Sequence, residues 1–206
     1  MKYDQFVHPS SSDLVRHPVP ISRDQREGKQ GHRGQVVWLT GLPGSGKSTI
    51  AYAFDRHLSS EGIASVVLDG DALRLGLCSD LGFSFEDRNE NVRRAAEVAK
   101  LFLDRGMVVI VALVSPLQEA REQARRTVST SDFLEVFCSC RLAVCQQRDP
   151  KGHYAKAKAG SMKEFTGVSS PYEAPLAPDI ILDTETESVD TCVKRLGGLV
   201  LERIRC

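Results

Sequence analysis

The apolar positions of this chain follow two rhythms that alternate from Gly34 to the C-terminus. Five short runs, "QVVWLT" (35–40), "SVVLD" (65–69), "MVVIVALV" (107–114), "FLEVFC" (133–138) and "DIILD" (179–183), are nearly continuous in apolar and β-branched residues. A strand with one wet face would alternate, so unbroken runs suit strands buried on both faces. Between them, helical spacing predicts helices over about 48–61, 87–105, 117–127, 141–148 and 187–204. In the second of these, Val92, Ala95, Ala96, Ala99, Phe102 and Leu103 repeat at helical spacing, with Arg93, Arg94, Glu97 and Lys100 at the other positions. Such alternation predicts an α/β fold in three layers, a mostly parallel five-stranded sheet flanked by helices. Ligands of these sheets collect at the carboxyl ends of the strands.

Residues 1–33 carry no sustained periodicity and are punctuated by Pro9, Pro18, Pro20, Gly28 and Gly31, so they are expected to form an N-terminal arm, with 34–206 as one domain. The 206 residues include 27 basic and 27 acidic side chains, and this balance argues against nucleic acid or an anionic membrane as the main partner. No stretch approaches the ~20 apolar residues of a membrane helix, and "MKYDQFVHPSSSDL" lacks the apolar core of a secretory signal. The six cysteines (Cys78, Cys138, Cys140, Cys145, Cys192 and Cys206) show no C-x-x-C pair and are expected to be free thiols. The expected location is the cytoplasm.

Directly after the first strand run stands "GLPGSGKST". Gly41, Leu42, Pro43, Gly44, Ser45, Gly46, Lys47 and Ser48 fit G-x-x-x-x-G-K-[ST], and Thr49 continues into the helix. The glycines let the backbone turn its N–H groups inward, and these donors with the positive end of the following helix cradle nucleotide phosphates. Lys47 is expected to reach the β- and γ-phosphates, and Ser48 to ligate Mg²⁺. The expectation is a P-loop NTPase-type fold that binds ATP; a GTPase is disfavoured because no N-K-x-D signature is present. Opposite this loop, "DGD" places Asp69 and Asp71 at the end of the second strand. One carboxylate can orient Mg²⁺ while the other accepts a proton from an attacking hydroxyl, although two aspartates at a turn also suit a purely structural corner. Arg88 and Asn91 share a face at a helix start, where an anion is favoured. Phe83 and Phe165 are loop aromatics able to stack on a base or to plug a core edge.

In order along the chain, "GLPGSGKST", "DGD", "DLGFS", "DRNENVRR", "VSP", "RDPKGHY", "FTG" and "SPYEAP" resemble the adenylyl-sulfate kinase family, which phosphorylates the 3′-hydroxyl of adenosine 5′-phosphosulfate with ATP. The resemblance runs from about Arg16 to the C-terminus. It implies that Phe83 and Phe165 sandwich the acceptor adenine, and that Arg74, Arg88 and Asn91 hold its phosphosulfate and ribose. Val114 and Ser115 are expected to line that pocket, Ser115 matching a serine described in the family as a phosphorylated intermediate; direct in-line transfer is the simpler chemistry. Residues 149–168 resemble a lid in which Lys151, Lys156, Lys158 and Lys163 bring positive charge over the phosphates. Arg148 and Thr184 would border the adenine of ATP. Asp71, Lys47 and Ser115 are thus the expected catalytic residues, Ser48 and Asp69 the metal ligands, and a homodimer the expected assembly, with the arm affecting substrate inhibition more than stability. Ala72, Lys158, Leu117-Gln118 and Pro43 depart from the usual family pattern, and a lysine in place of arginine loses the bidentate fork. Two alternatives stay open: a P-loop kinase acting on another small hydroxyl compound, and a non-catalytic nucleotide-sensing module.

Overall fold

All five apolar runs become strands of one sheet in a computed structural model that describes residues 19–162 and 164–206. The strands are β1 (Gln35–Thr40), β2 (Ser65–Asp69), β3 (Val108–Ala112), β4 (Phe133–Ser139) and β5 (Ile180–Asp183). They are parallel throughout, in the order β2-β3-β1-β4-β5, with Val37 paired to Ile110 on one side and to Leu134 on the other. The chain leaves central β1 toward β2 and β3 on one side and reaches β4 and β5 on the other. Loops therefore diverge above the carboxyl end of β1, where an open parallel sheet forms its ligand crevice.

Helices α1 (Arg23–Gln30), α2 (Lys47–Ser60), α3 (Gly70–Leu75), α4 (Phe85–Leu103), α5 (Gln118–Val128), α6 (Leu142–Arg148), α7 (His153–Lys158) and α8 (Val189–Arg203) accompany the strands, with one 3-10 turn at Thr130–Asp132 before β4. Alternate residues of β1 feed opposite cores. Val37 and Leu39 join Phe54 of α2 and Leu196 of α8, whereas Val36 and Trp38 join Ala95, Ala99 and Leu103 of α4 and Ala124 of α5. That two-sided burial is why β1 reads as an unbroken apolar run. Each large side chain fully buried here contributes roughly 1.5–3 kcal/mol.

Three helices escape the sequence pattern. α1 contains one buried side chain, Glu27, so no apolar stripe announces it; it is defined by a capping box between Ser22 and Gln25 and by Gly31 in the left-handed conformation at its end. It docks through polar contacts: Arg23 Nη1 donates to Asp132 at 2.7 Å, and Glu27 Oε1 accepts from the Gly34 N–H at 2.8 Å. The sequence boundary at 33 thus falls just after a helix packed against the base of the sheet, while residues 1–18 lie outside the described residues. α3 and α7 have six residues each, too few to show a period. β3 stops at Ala112 rather than 114, although the Leu113 N–H still donates to the Leu39 carbonyl at 3.2 Å; beyond it Ser115 sits at φ 37°. All six cysteines are free, four of them buried.

Candidate active site

The phosphate loop is shaped before any ligand is considered. Gly41 has φ 155°, and a Cβ there would come within 2.6 Å of Ser45 Oγ and 2.7 Å of the Cys138 carbonyl. α2 then starts at Lys47 behind an N-cap, Gly46, that offers no side-chain cap, leaving its first-turn N–H groups free for an anion. Lys47 is buried beneath the loop, donating from Nζ to the carbonyls of Gly41 at 2.9 Å and Leu42 at 2.8 Å. Burial pulls its pKa down to about 8, against the opposing pull of nearby Cys138, Cys145 and Asp69. Ser48 Oγ donates to Asp69 Oδ2 at 2.5 Å, while Asp69 Oδ1 accepts from the Asp71 N–H at 3.0 Å and so caps α3. The intervening Gly70 packs closely on β3, where an added Cβ would come 2.7 Å from Leu113 Cδ2 and displace that side chain. On the far side, Thr184 Oγ1 donates to the Ser45 carbonyl at 2.7 Å, and Arg148 Nη2 donates to the Thr184 carbonyl at 2.8 Å.

This loop forms one wall of a cleft of about 720 Å³ at the carboxyl ends of the strands. The opposite wall is built from α3, the start of α4 and the segment around Phe165. Arg74 lies with its guanidinium carbon 4.4 Å from the centre of the Phe83 ring and donates to the Gly82 carbonyl at 2.6 Å. Arg88 donates to the carbonyls of Phe83, at 2.9 Å, and of Glu164, and to the Thr166 hydroxyl. It thereby ties together the two loops that carry Phe83 and Phe165. Both guanidinium groups are bonded to neutral oxygens, and burial lowers the pKa of each. Asn91 is buried and its Nδ2 has no protein partner. Two partly desolvated cations beside an unpartnered amide form a pocket suited to an oxyanion and a ribose.

The cleft brings together most of the residues singled out in the sequence. Pro43, Gly44, Gly46, Lys47, Ser48, Thr49, Asp69, Asp71, Arg74, Phe83, Arg88, Asn91, Val114, Ser115, Arg148, Lys151, Phe165 and Thr184 all line it. Gly41, Leu42 and Ser45 do not; they shape the loop from behind. Phe83 is half exposed, whereas Phe165 is only 7% exposed and backed by Tyr154. Asp71 pairs with Lys151 across the cleft mouth. The lid cations need correction: Lys158 turns away to Gln146 Oε1 at 2.8 Å, and Lys156 is on the exposed side of α7. The helical turn separates these side chains, so Lys151 alone among the described lid lysines lines the cleft; Lys163 lies outside the described residues. Ser115 is 2% exposed, and its Oγ accepts from the Trp38 indole N–H at 3.1 Å.

Other contributors were not assigned from sequence. Thr166 receives Arg88, Tyr154 reaches the phosphate loop, and Arg121 is a buried support that donates to Glu135 and the Ser115 carbonyl, both at 2.8 Å. Thr166 and Tyr154 fall inside the quoted motifs "FTG" and "RDPKGHY"; no motif marks Arg121, which bonds to Ser115 on the preceding loop and to Glu135 on the neighbouring strand β4.

A strand–phosphate loop–helix unit at the centre of a parallel sheet, facing a second cationic pocket across one cleft, defines a kinase of the P-loop class. The profile of the adenylylsulphate kinase family matches residues 33–183, and the chain belongs to that family. It is 50% identical over 192 residues to the adenylyl-sulfate kinase of Prochlorococcus marinus, covering 93% of this chain and 96% of that protein. It is 47% identical over 195 residues to the probable adenylyl-sulfate kinase of Bacillus subtilis, covering 95% and 99% respectively. Among solved structures, APS kinase CysC of Mycobacterium tuberculosis in complex with AMPPNP and APS superposes with a TM-score of 0.79 at 49% identity, covering 82% of this chain and 98% of that one.

Proposed function

We propose that this protein transfers the γ-phosphoryl group of ATP to the 3′-hydroxyl of adenosine 5′-phosphosulfate, giving 3′-phosphoadenylyl sulfate and ADP, the activation step of sulfate assimilation. The observation that carries this reading is the single cleft in which the phosphate loop faces Arg74, Arg88 and the unpartnered Asn91 amide. The loop N–H groups and Lys47 hold the β- and γ-phosphates, with Arg148 and Thr184 beside the adenine of ATP. Phe83 and Phe165 flank the acceptor adenine, and the two arginines hold its phosphosulfate. Asp71 orients the 3′-hydroxyl and takes its proton as the oxygen bonds to the γ-phosphorus; the leaving oxygen departs with ADP, its charge met by Lys47 and Lys151. Such transfer depends on positioning and electrostatics.

Ser48 and Asp69 offer a hydroxyl and a carboxylate 2.5 Å apart, a donor pair that suits Mg²⁺, which takes its other ligands from phosphates and water. Bound there, the ion would neutralise charge shared by the β- and γ-phosphates. Ser115, nearly buried and accepting from the Trp38 indole N–H, positions the acceptor loop in this reading, and the phosphoryl group passes directly to the 3′-hydroxyl.

A coupled assay of ADP release with adenylyl sulfate, AMP and gluconate as acceptors tests the assignment. Turnover confined to adenylyl sulfate is expected. Preference for another acceptor replaces the substrate, and tight nucleotide binding without turnover on any of them returns the protein to a sensing role. The assembly is a cytoplasmic homodimer, a reading supported by family membership and by the exposed apolar side chains of Leu75, Leu77 and Phe85 beside the cleft. Light scattering at the 22.7 kDa monomer mass would reject the dimer.

A further inference from the structure

One side chain touches both halves of the cleft. Tyr154, in α7, is 2% exposed, and its hydroxyl donates to the Pro43 carbonyl of the phosphate loop at 2.9 Å. Burial holds the phenol above its usual range, so the donated proton is retained across the working pH range. The same ring meets Phe165 edge to face, with centroids 5.0 Å apart and planes at 86°. Around the two rings, Leu42, Cys145, Ala157 and Met162 complete a small apolar cluster separate from the two main cores. A trans peptide points its C=O and its N–H in opposite directions. Holding the Pro43 oxygen on the lid side therefore sets the direction of the Gly44 N–H, at a residue that lines the cleft.

We propose that Tyr154 is a positioning residue that couples the two nucleotide sites: its hydroxyl links the phosphate loop of the donor to the placement of Phe165 beside the acceptor base. The inference rests on the donor and acceptor sites assigned above. A donor nucleotide that settles the Pro43–Gly44 peptide stabilises the Tyr154–Phe165 pair, and adenylyl sulfate seated on Phe165 returns the effect by the same factor, because coupling between sites is reciprocal. Neither nucleotide need touch the Tyr154 hydroxyl for this to operate.

Isothermal titration of the full chain with AMPPNP and with adenylyl sulfate, each alone and in the presence of the other, tests this on wild type, Tyr154→Phe and Tyr154→Leu. Tyr154→Phe removes one oxygen and leaves the aromatic pair. It is expected to keep the affinity for adenylyl sulfate alone, and to weaken that affinity by about 3- to 10-fold when AMPPNP is bound, the scale of one lost hydrogen bond. In steady state, KM for adenylyl sulfate rises by a similar factor with kcat nearly unchanged. Tyr154→Leu also loses the ring contact and weakens adenylyl sulfate binding in both conditions. Equal weakening by Tyr154→Phe with and without AMPPNP, or no change in either, overturns the inference alone. A wild-type protein that binds neither ligand overturns the proposed function along with it.

Discussion

Lys47 meets two opposed demands. In its proposed role it must be charged to hold phosphate, yet it is buried under the loop, and desolvation lowers its pKa to about 8. A polyanion favours the protonated amine, so above pH 8 nucleotide binding must take up a proton. Affinity for ADP is therefore expected to be flat below pH 8 and to fall above it, by at most about tenfold per pH unit for one proton. Titration calorimetry between pH 7 and 9.5 reads this directly; an affinity independent of pH would show that the amine is not the linked group. Lys47→Ala and Asp71→Ala are each expected to cut kcat by orders of magnitude with an unchanged circular dichroism spectrum, and near-normal turnover in either would remove its assigned role. Asp69 has a double duty, accepting from Ser48 and capping α3. Asp69→Asn can keep the cap while losing the charge, so it should weaken Mg²⁺ dependence without lowering the melting temperature. Lys47 and both aspartates were legible because their motifs are short and local. The bond from the Trp38 indole to Ser115 was not, since those residues are 77 positions apart.

At the scale of elements, α4 carries both structural and functional load. Its Ala95, Ala96 and Ala99 pack on the sheet, and its first turns deliver Arg88 and Asn91 to the cleft. The Ser84 hydroxyl caps this helix by accepting from the Asp87 N–H at 3.1 Å. Ser84→Ala is expected to cost about 1 kcal/mol, within the range for lost caps. For a chain of this size that is a fall of roughly 2–4 °C in melting temperature. Because the frayed turn also bears Arg88, KM for adenylyl sulfate should rise as well; a stability loss with an unchanged KM would separate the cap from the site. The long helices were readable because three or more turns repeat the apolar face. α7 was not: six residues give no period, and its side chains diverge around the turn, which is why Lys158 reaches Gln146 instead of the cleft.

Across the whole molecule the two ends of the sheet have different tasks. The carboxyl ends hold the cleft, and the amino ends are closed by α1, whose Glu27 accepts from the Gly34 N–H at the entrance to β1 and pairs with Arg23. Glu27→Ala would leave that N–H buried without a partner, at a cost of about 1–3 kcal/mol. The expected result is a melting temperature several degrees lower with kcat unchanged, since no α1 residue lines the cleft. These contacts also revise the expectation for the arm: deletion of residues 1–33 removes α1 and should lower stability, whatever it does to substrate inhibition. Equal melting curves for the full and truncated chains would refute that.

By itself the sequence determined the strands, the longer helices, the phosphate loop and the family, because each is written in neighbouring residues as a period or a motif. Only the tertiary structure decided which charges meet. Arg88 spans to Thr166, Arg121 to Glu135 and Tyr154 to Pro43. The physical reason is that hydrogen bonds and burial are set by distance in space, and the fold of the sheet brings together positions that no local pattern connects.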